Sequence, residues 1–63
     1  MIGKNIRGLR QKIGISQDRL SKLADLSLNT IVNVEAGRNP NPKIETLLKI
    51  ARSLNVKVDD LIR

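Results

Sequence analysis

Cysteine, histidine and all three aromatic residues are absent from this chain, and each absence excludes something. Without cysteine no disulfide can support a domain of 63 residues, a size near the lower limit at which an unassisted core is stable. Cysteine usage therefore leaves the redox compartment open. Zinc sites built on cysteine and histidine are excluded, and the six Asp and Glu residues are scattered, so neither a metal nor a cofactor is expected. A Gly-rich phosphate loop and a clustered carboxylate pair are missing as well, so the chain is not expected to be an enzyme and no catalytic residue is assigned. With no aromatic side chain the core has to be built from Leu, Ile, Val and Ala, which suits a compact helical bundle better than a sheet. No apolar run approaches the roughly 18 residues of a membrane span, and the opening residues MIGKNIRG lack the apolar stretch of a signal peptide. The expectation is a soluble cytoplasmic protein with no membrane partner and no evident small-molecule site.

What the chain has in excess is positive charge: twelve Lys and Arg against six Asp and Glu, a formal net charge of +6. The excess is unevenly placed. Residues 1–43 hold eight basic and three acidic side chains, whereas residues 44–63 hold four and three. Such a charge either solubilises the surface or meets a polyanion, and its concentration in one part of the chain favours the polyanion.

Hydrophobic spacing divides the chain into five helices and no strands. Ile2, Ile6, Leu9 and Ile13 predict an amphipathic helix of about three turns, stopped by Gly14. Ile15 reads as a hydrophobic staple before the N-cap Ser16. A second helix follows over QDRLSKLA, with Leu20, Leu23 and Ala24 as its buried side and Asp18 in the favourable first turn. Asp25-Leu26 makes a tight turn with Asp25 left-handed. Ser27 caps a third helix that runs to Ala36 and is stopped by Gly37. After the loop Arg38-Asn39-Pro40-Asn41, Asn41 is expected to cap a fourth helix with Pro42 at its first position. Ile44, Leu47, Leu48, Ala51 and Leu54 repeat along it down to Asn55. A short fifth helix, about Val58 to Ile62, closes the bundle through Leu61 and Ile62. No linker or internal repeat interrupts residues 1–63, which read as one domain.

The segment from Ser16 to Gly37 is thus two short helices joined by a turn too tight for anything except a helix-turn-helix unit. At about 100° per residue, Ile31, Val34 and Glu35 of the third helix share the side that faces the bundle. Asn29, Asn33 and Ala36 face away, with Leu28 and Val32 on the border. No charged residue occurs from 28 to 34. In a DNA major groove an amide can both donate to and accept from adenine, and an apolar side chain can pack on a thymine methyl. Asn29 and Asn33 suit the first role. Leu28 and Val32 suit the second equally as well as a place at the edge of the core.

Taken in order, Ile6-Arg7-Gly8-Leu9-Arg10, Gly14-Ile15-Ser16-Gln17, Leu20, Ser27, Ile31 and Glu35-Ala36-Gly37 resemble the phage-repressor and Cro-type helix-turn-helix domains. Leu47, Ile50-Ala51, Leu54-Asn55-Val56 and Asp60-Leu61 continue the likeness to this lambda-repressor-like, or XRE, family. The resemblance implies an all-α, five-helix lambda-repressor-like bundle with the helix-turn-helix at about residues 16–36. It implies base reading by Leu28, Asn29, Val32 and Asn33. It implies phosphate binding by Gln17, at the positive end of its helix, and by Arg10, Arg38, Asn39, Asn41 and Lys43. Arg10 and Glu35 occupy positions that pair as a semi-buried salt bridge, and a carboxylate on the core side of a helix needs such a partner. Lys57, Val58 and Leu61 fall on the family's usual dimer edge. Three positions depart from the pattern. Ser21 replaces the usual alanine, and its hydroxyl should bond back to its own helix. Asp25 stands where glycine is usual, and Leu28 with Val32 makes the reading face unusually apolar.

The function expected is sequence-specific binding of double-stranded DNA by a transcriptional regulator, a repressor, acting as a homodimer on a palindromic operator. The sequence is equally compatible with the N-terminal domain of a longer regulator. The alternative is a protein-interaction module, antitoxin-like or adaptor, that uses the same third helix.

Overall fold

A ridge of apolar side chains three or four residues apart can be buried only against a complementary ridge, and this chain supplies one from each of its helices. The computed structural model describes residues 1–39 and 41–63. They form α1 (Ile2–Lys12), α2 (Gln17–Ala24), α3 (Leu28–Glu35), α4 (Ile44–Leu54) and α5 (Val58–Ile62). Helix α1 packs on α3 and α5, α2 packs on α3 and α4, and α4 packs on α5. Ile6, Leu20, Ile31, Val34, Leu47, Ile50, Ala51, Leu54 and Leu61 make one core cluster. Each fully buried Leu, Ile or Val in it contributes roughly 1.5–3 kcal/mol of transfer free energy. No helix among the described residues is long and apolar enough to cross a membrane.

Two close approaches hold α1 in place. A Cβ at Gly3 would stand 2.6 Å from the carbonyl oxygens of both Val34 and Glu35, so the start of α1 lies directly against the end of α3. Asn5 donates from Nδ2 to the carbonyls of Leu61 and Arg63, each at 2.9 Å. Those bonds satisfy acceptors that a helix C-terminus leaves open, and they tie α5 to α1.

Several expectations need correction. Ile13, Leu23, Ile44, Leu48 and Ile62, all placed on apolar faces, are exposed. Ile13 is the C-cap of α1 at φ −94° and ψ 1°, beyond the last regular turn and off the ridge. Helices this short cover one another with narrow seams, and the flanking positions stay in water. Helix α4 starts two residues later than expected. Its N-cap is Lys43, whose carbonyl accepts the first helical bond from Leu47 at 3.1 Å. Proline is tolerated in a first helical turn but does not compel one, and the buried ridge of α4 begins only at Leu47. Asn41 is therefore not the cap and Pro42 is not helical. Pro40, expected in the loop after α3, lies outside the described residues.

Candidate nucleic-acid interface

The geometry of the helix-turn-helix follows from its caps. Ser16 stays extended and its Oγ accepts from the Arg19 N–H at 3.0 Å, which starts α2. Asp25 is left-handed, at φ 56° and ψ 45°, and lets the Leu26 N–H reach back to the Ser21 carbonyl at 2.9 Å. The chain re-enters a helix within two residues, because Ser27 Oγ accepts from the Thr30 N–H at 3.1 Å. Ser21 is buried, and its hydroxyl donates to the Asp18 carbonyl at 2.6 Å. It therefore sits at the departure from alanine with its polar atom satisfied inside its own helix.

Helix α3 presents the two sides that its periodicity implies. Ile31, Val34 and Glu35 are buried. Leu28, Asn29 and Ala36 are exposed, and Val32 and Asn33 are half-buried. The outward side is consequently slender, amidic and apolar, with no charge from 28 to 34.

The buried Glu35 organises the other side. Its carboxylate accepts from Arg10 Nε at 2.8 Å and Arg10 Nη2 at 3.0 Å, a bidentate pair. Arg10 Nη1 donates to the Ile15 carbonyl at 2.8 Å. The side chains are 10% and 1% exposed. The hydrogen bond to Glu35 is the main cause that holds the Arg10 guanidinium above arginine's ordinary pKa. The carboxylate's charge adds to it, and burial opposes it. Gln17 Nε2 donates to the same carboxylate at 3.2 Å. Arg7, a residue that sequence reasoning assigned no role, brings its Nε to 3.6 Å from Glu35 Oε1 while its side chain stays 57% exposed. The signal that could have found it was its place one turn before Arg10 on the same face of α1.

This arrangement decides between the two roles expected of Arg10. All three of its guanidinium nitrogens are engaged internally and the residue is buried, so it is assigned to the ion pair and withdrawn from the phosphate-binding set. Gln17 remains beside the open end of α2. Arg38, Asn39, Asn41 and Lys43 are all exposed, and the structure places them on the segment that follows α3. At the other expected edge Lys57 is exposed and Val58 is half-buried against the core. Leu61 is 0% exposed, so its side chain is spent on the monomer core and is unable to touch a partner. Leu61 is therefore removed from the dimer edge.

A five-helix bundle built around a capped helix-turn-helix places the chain in the class of helix-turn-helix domains. A profile of the family described as Helix-turn-helix matches residues 6–61. Two proteins of Archaeoglobus fulgidus, each named an uncharacterized HTH-type transcriptional regulator, are 39% and 36% identical to the chain over 56 residues. Both alignments cover 89% of this chain, and 79% and 78% of theirs. Among solved structures, the restriction-modification controller protein C.AhdI from Aeromonas hydrophila superposes with a TM-score of 0.90 at 32% identity. That match covers 95% of this chain and 89% of that one. The chain belongs to the helix-turn-helix family, and it is a sequence-specific DNA-binding regulator. None of these relatives supports the alternative of a protein-interaction module.

Proposed function

We propose that residues 1–63 form a single DNA-binding domain that represses transcription in the cytoplasm by occupying a promoter. Helix α3 lies in the major groove and α2 crosses the backbone. The observation that carries this reading is the division of α3 into a buried side closed by Glu35 and an uncharged outer side. Leu28, Asn29, Val32 and Asn33 read base edges, the amides by hydrogen bonds and the aliphatics against thymine methyls. Gln17, Arg38, Asn39, Asn41 and Lys43 grip phosphates. Arg7 joins them in place of Arg10, because Arg10 already neutralises Glu35 and the Arg7 charge beside Gln17 is surplus.

One domain of this size buries little surface on DNA, and specific occupancy then requires a homodimer on a palindromic operator with half-sites about one helical turn apart. Lys57 and Val58 are the residues of the expected edge that remain available to a second copy.

Selection of binding sites from a random duplex pool tests the reading. It should return palindromic half-sites, and affinity for the selected duplex should fall with salt at a log–log slope of about −0.9 per phosphate contact. A flat salt dependence, or a pool without enrichment, would overturn the proposal.

A further inference from the structure

We propose that Arg38 is a specificity-determining residue, which orients the Asn33 amide for base reading in addition to holding the DNA backbone. The inference rests on the reading that α3 enters the groove, and it begins with the way α3 ends. Gly37 is left-handed at φ +79°, a conformation that costs a residue without Cβ little. It turns the chain back on the last turn of the helix. The Asn33 carbonyl accepts from the Arg38 N–H at 3.0 Å and from the Asn39 N–H at 3.3 Å. These bonds lay Arg38 over Asn33, and Arg38 Nη1 donates to Asn33 Oδ1 at 3.2 Å. Residues 33 and 38 are thus joined twice, through the backbone and through their side chains.

The side-chain bond has a polarity. A guanidinium carries five N–H donors and no acceptor, so it can hold only the oxygen of the amide. The flipped amide would set its NH2 group against those donors and is disfavoured. Arg38 therefore turns Nδ2 of Asn33 outward as a fixed donor and leaves Oδ1 one lone pair. That presentation matches the acceptors of a purine edge, N7 of adenine or guanine, and the spare lone pair can still accept from adenine N6. The guanidinium keeps further N–H groups for a phosphate. Among the described residues no carboxylate is within salt-bridge distance of Arg38, so its charge is not spent within the domain. One side chain then links the backbone grip to the choice of base, and loosening that grip should blur the choice.

The test compares Arg38→Met with Lys43→Met, two variants that each remove one cation from the same segment. Asn33→Ala and the double variant Asn33→Ala/Arg38→Met complete the set. Each full chain is checked by thermal melting and titrated with the selected operator and with duplexes carrying the other base pairs at every position. Asn33→Ala should flatten the preference at one base pair about tenfold. Arg38→Met should flatten the same base pair by about threefold or more and reduce the salt slope by about one. The double variant should be no flatter there than Asn33→Ala alone. Lys43→Met should reduce the slope with every preference intact. If Arg38→Met behaves like Lys43→Met, or blurs a different base pair, the positioning role is wrong while groove binding stands. A wild-type chain with no preference at any position would remove the groove reading itself, and this proposal with it.

Discussion

Replacing Arg10 by Met leaves the Glu35 carboxylate, 1% exposed, facing a thioether where it now accepts two hydrogen bonds at 2.8 and 3.0 Å. Gln17 at 3.2 Å and Arg7 at 3.6 Å remain, but Gln17 is neutral and the Arg7 side chain is largely in water. Breaking one side of a buried ion pair costs about 3–5 kcal/mol, and these residual partners put Arg10→Met near the lower end. Glu35→Leu strands the guanidinium with only the Ile15 carbonyl and should cost about as much. A chain of 63 residues has a total stability of roughly 3–9 kcal/mol, so either change removes about a third of it or more. The double variant removes both charges and both desolvation penalties, and it should lie within about 1 kcal/mol of the wild type. Urea unfolding followed by far-UV circular dichroism gives the three differences. Single variants that each lose less than about 1 kcal/mol, or a double variant whose loss equals their sum, would refute the view of Glu35 as a buried charge in need of Arg10. The same bridge fixes a pH dependence. A cation whose pKa is raised on folding stabilises fully below its unfolded value and loses that contribution only as pH climbs through the folded one. For Arg10 both lie in strongly alkaline solution, so its guanidinium should contribute evenly to stability from about pH 7 to about pH 10.

Two glycines of α1 should respond to alanine with opposite signs. Gly3→Ala drives a Cβ to 2.6 Å from two carbonyl oxygens of α3 and should cost about 1–3 kcal/mol. Gly8→Ala meets nothing within 4 Å and should raise stability by about 0.5–1 kcal/mol. Thermal melting of both variants checks the pair, and equal signs would contradict the close α1–α3 approach. Asp25→Gly relieves a left-handed backbone and should stabilise by up to about 1 kcal/mol in urea; a loss would show that the carboxylate does something the turn geometry omits. Gln17→Ala should weaken binding to every duplex alike and leave the salt slope unchanged, since a neutral contact releases no counterion. A shifted base preference in competition titrations would argue against a phosphate contact.

Local chemistry was legible in the sequence, whereas convergence in space was legible only for Arg10 and Glu35, and there through the family resemblance. Ser16 and Ser27 announce the starts of α2 and α3 because a cap is a bond over three residues. Asp25 announces its turn because the left-handed region admits few residue types. The burial of Glu35 followed from periodicity alone. Apolar residues at the flanks failed, as Leu23, Ile44 and Leu48 show, because periodicity marks a stripe but says nothing of the width a neighbour covers. A domain of about 60 residues buries only about 60% of its surface on folding, so some of that stripe has to stay wet. Leu61 failed in the opposite sense. The family resemblance put it on a dimer edge while its spacing put it in the bundle, and only the second holds: α5 folds back on α1, with Asn5 holding its last carbonyls, and Leu61 is core.

The meeting of Arg7 and Gln17 on one carboxylate depends on how α1, α2 and α3 pack: the spacing within α1 sets Arg7 beside Arg10, but nothing within a single helix brings Gln17 there. Asn33 and Arg38 are only five residues apart, yet their contact depends on the reversal at Gly37, so spacing alone again understates what the turn assembles. This matters most for the apolar reading helix. Under the proposed reading Leu28 and Val32 discriminate by shape against a methyl group, and polar discrimination falls to Asn29 and Asn33. Among the described residues the Asn29 side chain makes no hydrogen bond, whereas Asn33 is held by Arg38. An amide that is already oriented loses less freedom on binding than one that has to be ordered there. The sharpest base preference should therefore fall opposite Asn33, with a weaker one opposite Asn29.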